Sequence, residues 1–343
     1  MQNQVRFFPY RDLINFLIKV MKRMGMVRLQ KTTGIHHITA MVNDAQRSID
    51  FYAGILGLRL VKKTINFDRP EVYHLYFGNE TGQPGSVITF FPWPKQLKGR
   101  IGTGQVGVTS FIIPNQSIKF WENRLKKFRI RFIQSVRFGE KYLQFQDPDG
   151  LEIELVERNE GPKNNWSFGE VDSEVAIKGF GGAILISTQP NKTANVLENV
   201  LGLECLGQEA SFLRFKSDCQ FGNTIDIKLT PSVRGLKGAG TVHHIAWRAK
   251  DDQDLLRWRT LLQDKDYYPT EIRDRNYFKA VYFHEQGGIL FEIATDPPGF
   301  SVDEAVAELG NKLMLPSWLE PKREELEEAL PTVEVRVLEG DQS

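Results

Sequence analysis

One supersecondary unit is written four times along this chain, and such internal repetition limits the possible folds more than any local propensity does. Residues 34–93 read as a strand (Ile35 to Val42), a helix (Asp44 to Leu56, with Asp44 as N-cap and Gly57 as stop) and strands at Leu58 to Asn66, Val72 to Phe77 and Ser86 to Pro92. Residues 104–158 repeat the plan, with a strand at Val106 to Ile113 and a helix at Ser117 to Lys127 that lines up Ile118, Trp121 and Leu125. Strands near Arg131, at Lys141 to Asp147 and at Leu151 to Glu157 follow, the last two joined by the turn Asp147-Pro148-Asp149-Gly150. A third copy, 180–230, offers a strand at Ala183 to Thr188 and a helix at Lys192 to Val200, and its Leu201-Gly202-Leu203 echoes Leu56-Gly57-Leu58. The fourth, 241–295, has its helix at Asp252 to Leu262 and a Gly287-Gly288 turn before the last strand. Four βαβββ modules predict an α+β protein. The expected division is an extension at 1–33, a first domain at 34–158, a linker at 159–179, a second domain at 180–300 and a C-terminal tail at 301–343. That tail is expected to lie on the surface, with Val302 to Lys312 helical.

The 343 residues suffice for two domains with real cores, and 41% hydrophobic with 25% charged residues is a globular composition. A net charge of +1 gives no electrostatic case for nucleic acid. Cys205 and Cys219 have no metal-site spacing and make no disulfide scaffold, so a reducing cytoplasm is the expected location. Phe7 to Met26 mixes apolar residues with Arg11, Lys19, Lys22 and Arg23; it contains no apolar run of about 20 residues for a span and no signal-peptide pattern. It is expected to be a dispensable extension and not a membrane anchor.

The chain has six histidines, and four of them form two doublets in similar contexts, Gly34-Ile35-His36-His37-Ile38 and Thr241-Val242-His243-His244-Ile245. Adjacent strand residues point to opposite faces, so one histidine of each doublet can face the cup of a sheet, and the motif alone does not say which. Glu292 stands in an apolar strand four residues after Gly288, where a carboxylate is costly unless paired or bound to a cation. Glu154 has the equivalent place in module two, but that module opens on Val106-Gly107-Val108 without histidine, and module three on Gly182-Ala183. Only modules one and four together supply two histidines and one carboxylate, so one metal site per chain is expected. Such a set leaves coordination positions open for substrate and oxygen.

The stretches GIHHITAMVNDAQRSIDFYAGILGLRLVKKT, YHLYFGNE, QDPDGLEIELVE, LGLE and GGILFEIATDPPGF together resemble the vicinal oxygen chelate superfamily, the glyoxalase/bleomycin resistance/extradiol dioxygenase group, over roughly residues 34–330. Within it the chain looks most like ring-cleaving dioxygenases that act on para-hydroquinones. The resemblance implies two domains with cupped mixed sheets, each built from two modules. It implies Fe(II), less often Mn(II), held by His37, His244 and Glu292, each ligand histidine being the one directly before the apolar Ile. A hydroxylated ring would bind there and be opened by O2. It further implies His36, His243, Arg275 and Tyr282 as catalytic neighbours and Thr39 as a substrate contact. His284 stands where the family usually has arginine, so no contact is carried over to that position.

Beside these roles, Arg275 reads as a surface loop arginine, Tyr282 as a core aromatic and Thr39 as an ordinary β-former. His74, alone on its strand, reads as structural, and Phe90, Phe91, Trp93, Trp166 and Trp247 as core or pocket wall. Two other functions fit the same fold: a glyoxalase-type metal-dependent lyase or isomerase, which commonly uses more carboxylate ligands, and a non-catalytic binder of aromatic compounds, which needs no metal. The expected partners are a small aromatic molecule and O2, with no nucleic acid and no membrane, and a homo-oligomer is compatible with the sequence.

Overall fold

The computed structural model describes residues 30–341. The expected N-terminal extension lies almost wholly outside them. Module one supplies β1 (Ile35–Val42), β2 (Arg59–Asn66), β3 (Arg69–Gly78) and β4 (Val87–Pro92); module two supplies β5 (Gln105–Ile113), β6 (Phe132–Arg137), β7 (Glu140–Gln146) and β8 (Glu152–Glu157). Module three supplies β9 (Gly179–Ile186), β10 (Glu204–Glu209), β11 (Phe212–Lys216) and β12 (Thr224–Lys228); module four supplies β13 (Thr241–Ala249), β14 (Arg273–Asp274), β15 (Lys279–His284) and β16 (Leu290–Thr295). After each opening strand comes a helix: α1 (Ala45–Ile49, running on as a π-helix over Asp50–Ile55), α2 (Ile118–Lys127), α3 (Pro190–Asn199) and α4 (Asp252–Asp264). A fifth, α5 (Arg323–Ala329), lies in the tail. Asp44 caps α1 by accepting from the Arg47 N–H at 2.8 Å. Gly57 ends the helical run at φ +66°, where a Cβ would also strike Val171 at 2.7 Å.

The sixteen strands form two eight-stranded sheets, in the orders β14-β15-β16-β13-β1-β4-β3-β2 and β10-β11-β12-β9-β5-β8-β7-β6. Division by chain order would join module one to two and three to four. The sheets instead join one to four and two to three, each through an antiparallel seam of opening strands, β1 with β13 and β5 with β9. The connectors 93–104 and 229–240 run beside each other, with bridges Lys98↔Ala239, Arg100↔Leu236 and Thr103↔Arg234.

The main apolar core unites the helices with one face of each sheet, with Tyr52, Trp121, Trp247 and Trp258 fully enclosed. A smaller cluster fills part of the other face of the first sheet. There Ala246, Ala280 and Ala294 make room for Tyr277, Phe278, Phe300 and Leu309. The tail departs from expectation. Residues 302–312 form short 3-10 turns, Phe300–Val302 and Val306–Glu308. The segment is also tied down: Leu309, Leu313, Leu315, Leu326 and Leu330 are buried, and Lys62, fully buried, pairs with Asp303 at 2.6 Å and with Glu304. Among the described residues no helix is long and apolar enough to cross a membrane.

The cup of the second sheet holds a closed set of ion pairs. Arg137 forks onto Glu154 at 2.9 and 3.1 Å and reaches Asp226 at 2.6 Å. Arg214 links Asp226 to Glu140, and Arg158 also holds Glu140. Burial alone would raise the Glu140 pKa; Arg158, then Tyr142 and Arg214, outweigh it and hold the group at about 2 against an ordinary 4.5. Its contribution to stability is therefore full above about pH 4.5 and is lost as the pH falls toward 2. We expect the urea midpoint to fall over that window, and Arg158→Met to flatten the fall. Arg137→Met leaves Glu154 buried and unpaired, and is expected to cost about 3–5 kcal/mol in urea unfolding at neutral pH.

Candidate metal centre

The seam between β1 and β13 contains two register shifts. Ile35 pairs with Trp247 and His37 with Ala246, so His36 is an extra residue on β1; Thr39 pairs with His244 and Ala40 with Val242, so His243 is an extra residue on β13. A bulge breaks the alternation of faces and re-aims the side chains beside it. The two rings of each doublet consequently meet, which plain alternation does not allow: His36 and His37 join Nδ1 to Nδ1 at 2.9 Å, His243 and His244 at 2.8 Å. Across the seam the Nε2 atoms of His37 and His244 lie 3.2 Å apart.

Glu292 comes from β16, where it is paired with Ala246 on one side and Tyr282 on the other. Its Oε2 lies 2.8 Å from His244 Nε2 and 3.5 Å from His37 Nε2. His37, His244 and Glu292 are all buried and present ligand atoms within 4.8 Å of one another. Neither oxygen of Glu292 has a hydrogen-bond partner of acceptable direction, despite the short approach of His244. Burial opposes ionisation of Glu292, but the two facing imidazoles outweigh it and hold the carboxyl well below its usual range.

The hydrogen-bond chain behind His37 fixes its tautomer. His36 is kept neutral by burial and by the neighbouring His37. Its Nε2 lies 3.1 Å from the Thr295 carbonyl, which can only accept, so Nε2 carries the proton and Nδ1 is the acceptor. His37 then donates from Nδ1, so in its neutral form the lone pair is on Nε2, facing Glu292 and His244. Burial also lowers the pKa of His244. A buried carboxylate without hydrogen bonds and an imidazole lone pair aimed at one point suit a divalent cation, with each ring oriented through its other nitrogen. Glu154, at the matching place in the second sheet, is instead satisfied by Arg137 and by the Ser110 hydroxyl at 2.8 Å.

His37 and His244 border a cavity of about 450 Å³, and Glu292 lies against both imidazoles. Tyr282 and Arg275 both line it, and Arg275 Nε donates to the Tyr282 hydroxyl at 3.4 Å while its other end reaches the Asp68 carboxylate at 3.2 Å. Burial, then Glu292, raises the pKa of Tyr282, so its hydroxyl keeps its proton. His243 also lines the cavity, its pKa lowered to about 3 by burial and then by His244. Thr39 is fully buried and bonds Thr89 at 2.8 Å.

Three residues beyond the sequence-derived set belong to this surround. His74, read from sequence as structural, lines the cavity and bridges Thr89 at 2.8 Å and Tyr76 at 2.9 Å. Tyr76, His74, Thr89 and Thr39 form one hydrogen-bonded chain, Tyr76 to His74 at 2.9 Å, His74 to Thr89 at 2.8 Å and Thr89 to Thr39 at 2.8 Å. The only sequence signal for this chain was alternation along β3. His284 is exposed at the end of β15 and does not border the cavity.

The profile of the Glyoxalase/Bleomycin resistance protein/Dioxygenase superfamily matches residues 34–155. The chain is 58% identical over 310 residues to a Bacillus subtilis (strain 168) protein named "Putative ring-cleaving dioxygenase MhqO", covering 90% of this chain and 99% of that one. It is 32% identical over 312 residues to the chlorohydroquinone/hydroquinone 1,2-dioxygenase of Sphingobium indicum, covering 87% and 95%. A crystal structure of a "putative dioxygenase" from Bacillus subtilis subsp. subtilis str. 168 superposes with a TM-score of 0.89 at 58% identity, covering 90% of this chain and all of that one. With its two cupped sheets and this extent of similarity, the chain belongs to the Glyoxalase/Bleomycin resistance protein/Dioxygenase superfamily.

Proposed function

We propose that this protein is a non-haem ring-cleaving dioxygenase that opens hydroquinone-type aromatics with O2, with His37, His244 and Glu292 as metal ligands. The observation that carries the reading is Glu292, a fully buried carboxylate with no hydrogen bond, faced by two imidazole nitrogens. The names of its relatives support the reaction class and a hydroquinone substrate. A set of two histidines and one carboxylate suits Fe(II) or Mn(II), which when bound offers open positions for a ring hydroxyl and for O2.

The surrounding side chains have separable tasks. Arg275 stays cationic, its pKa raised by Tyr282 and Asp68 against the effect of burial, and it offsets the negative charge of an ionised ring hydroxyl. Tyr282 keeps its proton and donates a hydrogen bond to an oxygen of the ring. Thr39, fully buried at the end of the chain from Tyr76, braces that chain through Thr89. His243 stays neutral; with its Nδ1 engaged by His244, its Nε2–H can donate a hydrogen bond to a ring oxygen. His36 acts at one remove by holding the His37 tautomer. Met41, Phe91, Trp93, Phe278 and Leu290 give the cavity an aromatic and aliphatic wall that suits a flat ring and limits water.

The decisive test is anaerobic loading with Fe(II), then O2 uptake with hydroquinones, catechols and a hemithioacetal. Uptake with loss of the hydroquinone absorbance is expected; isomerisation of the hemithioacetal without uptake would replace the reading with a lyase. Anaerobic Mn(II) or Fe(II) should raise the melting temperature of the wild type. His244→Ala and Glu292→Gln should abolish that rise and the stoichiometric metal found by elemental analysis. Arg275→Met should keep its metal but lose about 10²–10³-fold in kcat, measured by oxygen electrode.

A further inference from the structure

One charged group that borders the cavity has no task in the scheme above. Asp68, Arg273 and Arg275 all line it. Arg275 is engaged, donating to the Tyr282 hydroxyl and to Asp68. Arg273 is not. It reaches the same Asp68 oxygen only at 3.8 Å, beyond hydrogen-bond range, and its guanidinium makes no hydrogen bond to a described residue. One carboxylate therefore faces two guanidinium groups, and this part of the wall keeps a unit of positive charge.

Arg273 stands where the cavity opens. It lies on β14, and Asp68 lies in the turn after β2. These strands are the two edges of the first sheet, so the pair faces across the open side of the cup. The Arg273 side chain is 49% exposed, against 18% for Arg275. Inward from Arg273 the steps are short. Its guanidinium carbon is 5.8 Å from the centre of the Tyr282 ring, and that ring is 5.7 Å from the ring of His244. An extended six-carbon chain spans roughly 6 Å between its end carbons, and a polar contact adds about 3 Å at each end. An opened ring with one end beside His244 thus has the other within reach of Arg273.

Ring opening makes an anion in a site that an uncharged molecule enters. Cleavage between a hydroxyl-bearing carbon and its neighbour breaks that C–C bond and the O–O bond of O2, and one oxygen atom joins each carbon. The first becomes a carboxyl and the second an aldehyde. The ring supplies all four electrons that O2 takes up, so no other reductant enters. At neutral pH the carboxyl gives its proton to water.

We infer that Arg273 is the binding point for this new carboxylate, holding the opened chain at the mouth of the cavity on its way out. The inference rests on the ring-cleaving reading of the site. The planar fork of Arg273 is free to take a carboxylate in two parallel hydrogen bonds, whereas Arg275 is committed to Tyr282 and Asp68. Arg273 makes and breaks no bond of the ring.

The test is binding to the Mn(II)-loaded protein without O2, followed by tryptophan fluorescence because Trp93 borders the cavity. The probes are muconate, a six-carbon unsaturated diacid close in shape to the opened ring, its dimethyl ester, and hydroquinone. Muconate is expected to bind the wild type about tenfold more tightly than the ester. Arg273→Met should weaken muconate about five- to tenfold, and Arg273→Lys less. The ester and hydroquinone, both uncharged, should shift by less than about twofold. Raising the salt from about 0.05 to about 0.5 M should weaken muconate in the wild type and much less in Arg273→Met. A wild type that fails to bind muconate or binds the ester as tightly, or equal muconate affinity in the wild type and Arg273→Met, overturns the assignment of Arg273 alone. Absence of O2 uptake with every ring overturns the ring-cleaving reading and this inference with it. If Arg273→Met does not fold, muconate binding by the wild type that is indifferent to salt overturns the inference unaided.

Discussion

The pairing of β1 with β13 is the interaction on which the rest of this molecule depends. It joins modules that are far apart in the chain, and its two bulges sit at the first histidine of each doublet. Without the bulges, His36 and His37 would face opposite ways, and so would His243 and His244. With them, each doublet works as a unit: one ring stands toward Glu292 and the other holds it from behind through Nδ1. The seam therefore fixes the position of both imidazoles assigned to the metal and, through His36, which nitrogen of His37 faces Glu292.

The second sheet shows the same seam without the chemistry. The pairing of β5 with β9 also slips twice, at Gly107 and at Gly181. Where the first sheet has histidines, the second has glycines. A Cβ at Gly107 would meet Ile186 at 2.4 Å, and one at Gly181 would meet Val156 at 2.9 Å. The carboxylate has been kept as Glu154, and the Arg137 guanidinium supplies the positive charge it needs. Two cups of one design are thus balanced differently, one by fixed ion pairs and the other by a site fit for a cation. The contrast also sharpens the meaning of Glu292, whose counterpart shows how such a carboxylate looks when protein alone satisfies it.

Much of this was legible in the sequence. Strand and helix periods located the modules, Asp44 and Gly57 marked the ends of the first helix, and the census of histidines and carboxylates singled out modules one and four. The partnership of the modules was not legible by chain order, because strand pairing across some two hundred residues leaves no local pattern. The meeting of adjacent histidines was hidden for a related reason: a bulge is a property of register between two strands and not of either alone. His74 escaped because it is a single polar residue whose meaning comes from neighbours, one of them on another element. The tail misled because Leu326 and Leu330 are set among glutamates; the charged residues dominate the pattern while the leucines turn inward.

The separation of His37 from His244 and Glu292 along the chain also bears on how the protein is made. Synthesis delivers the first histidine early, and the other two residues only after two further modules have emerged. Until β16 has left the ribosome and joined β13, no fragment of the nascent chain holds more than a part of the cluster. Under the proposed metal assignment a growing chain would be a poor trap for stray metal ions, and loading would be an event of the finished fold. The capacity to bind a cation then certifies that the first and last modules have found each other.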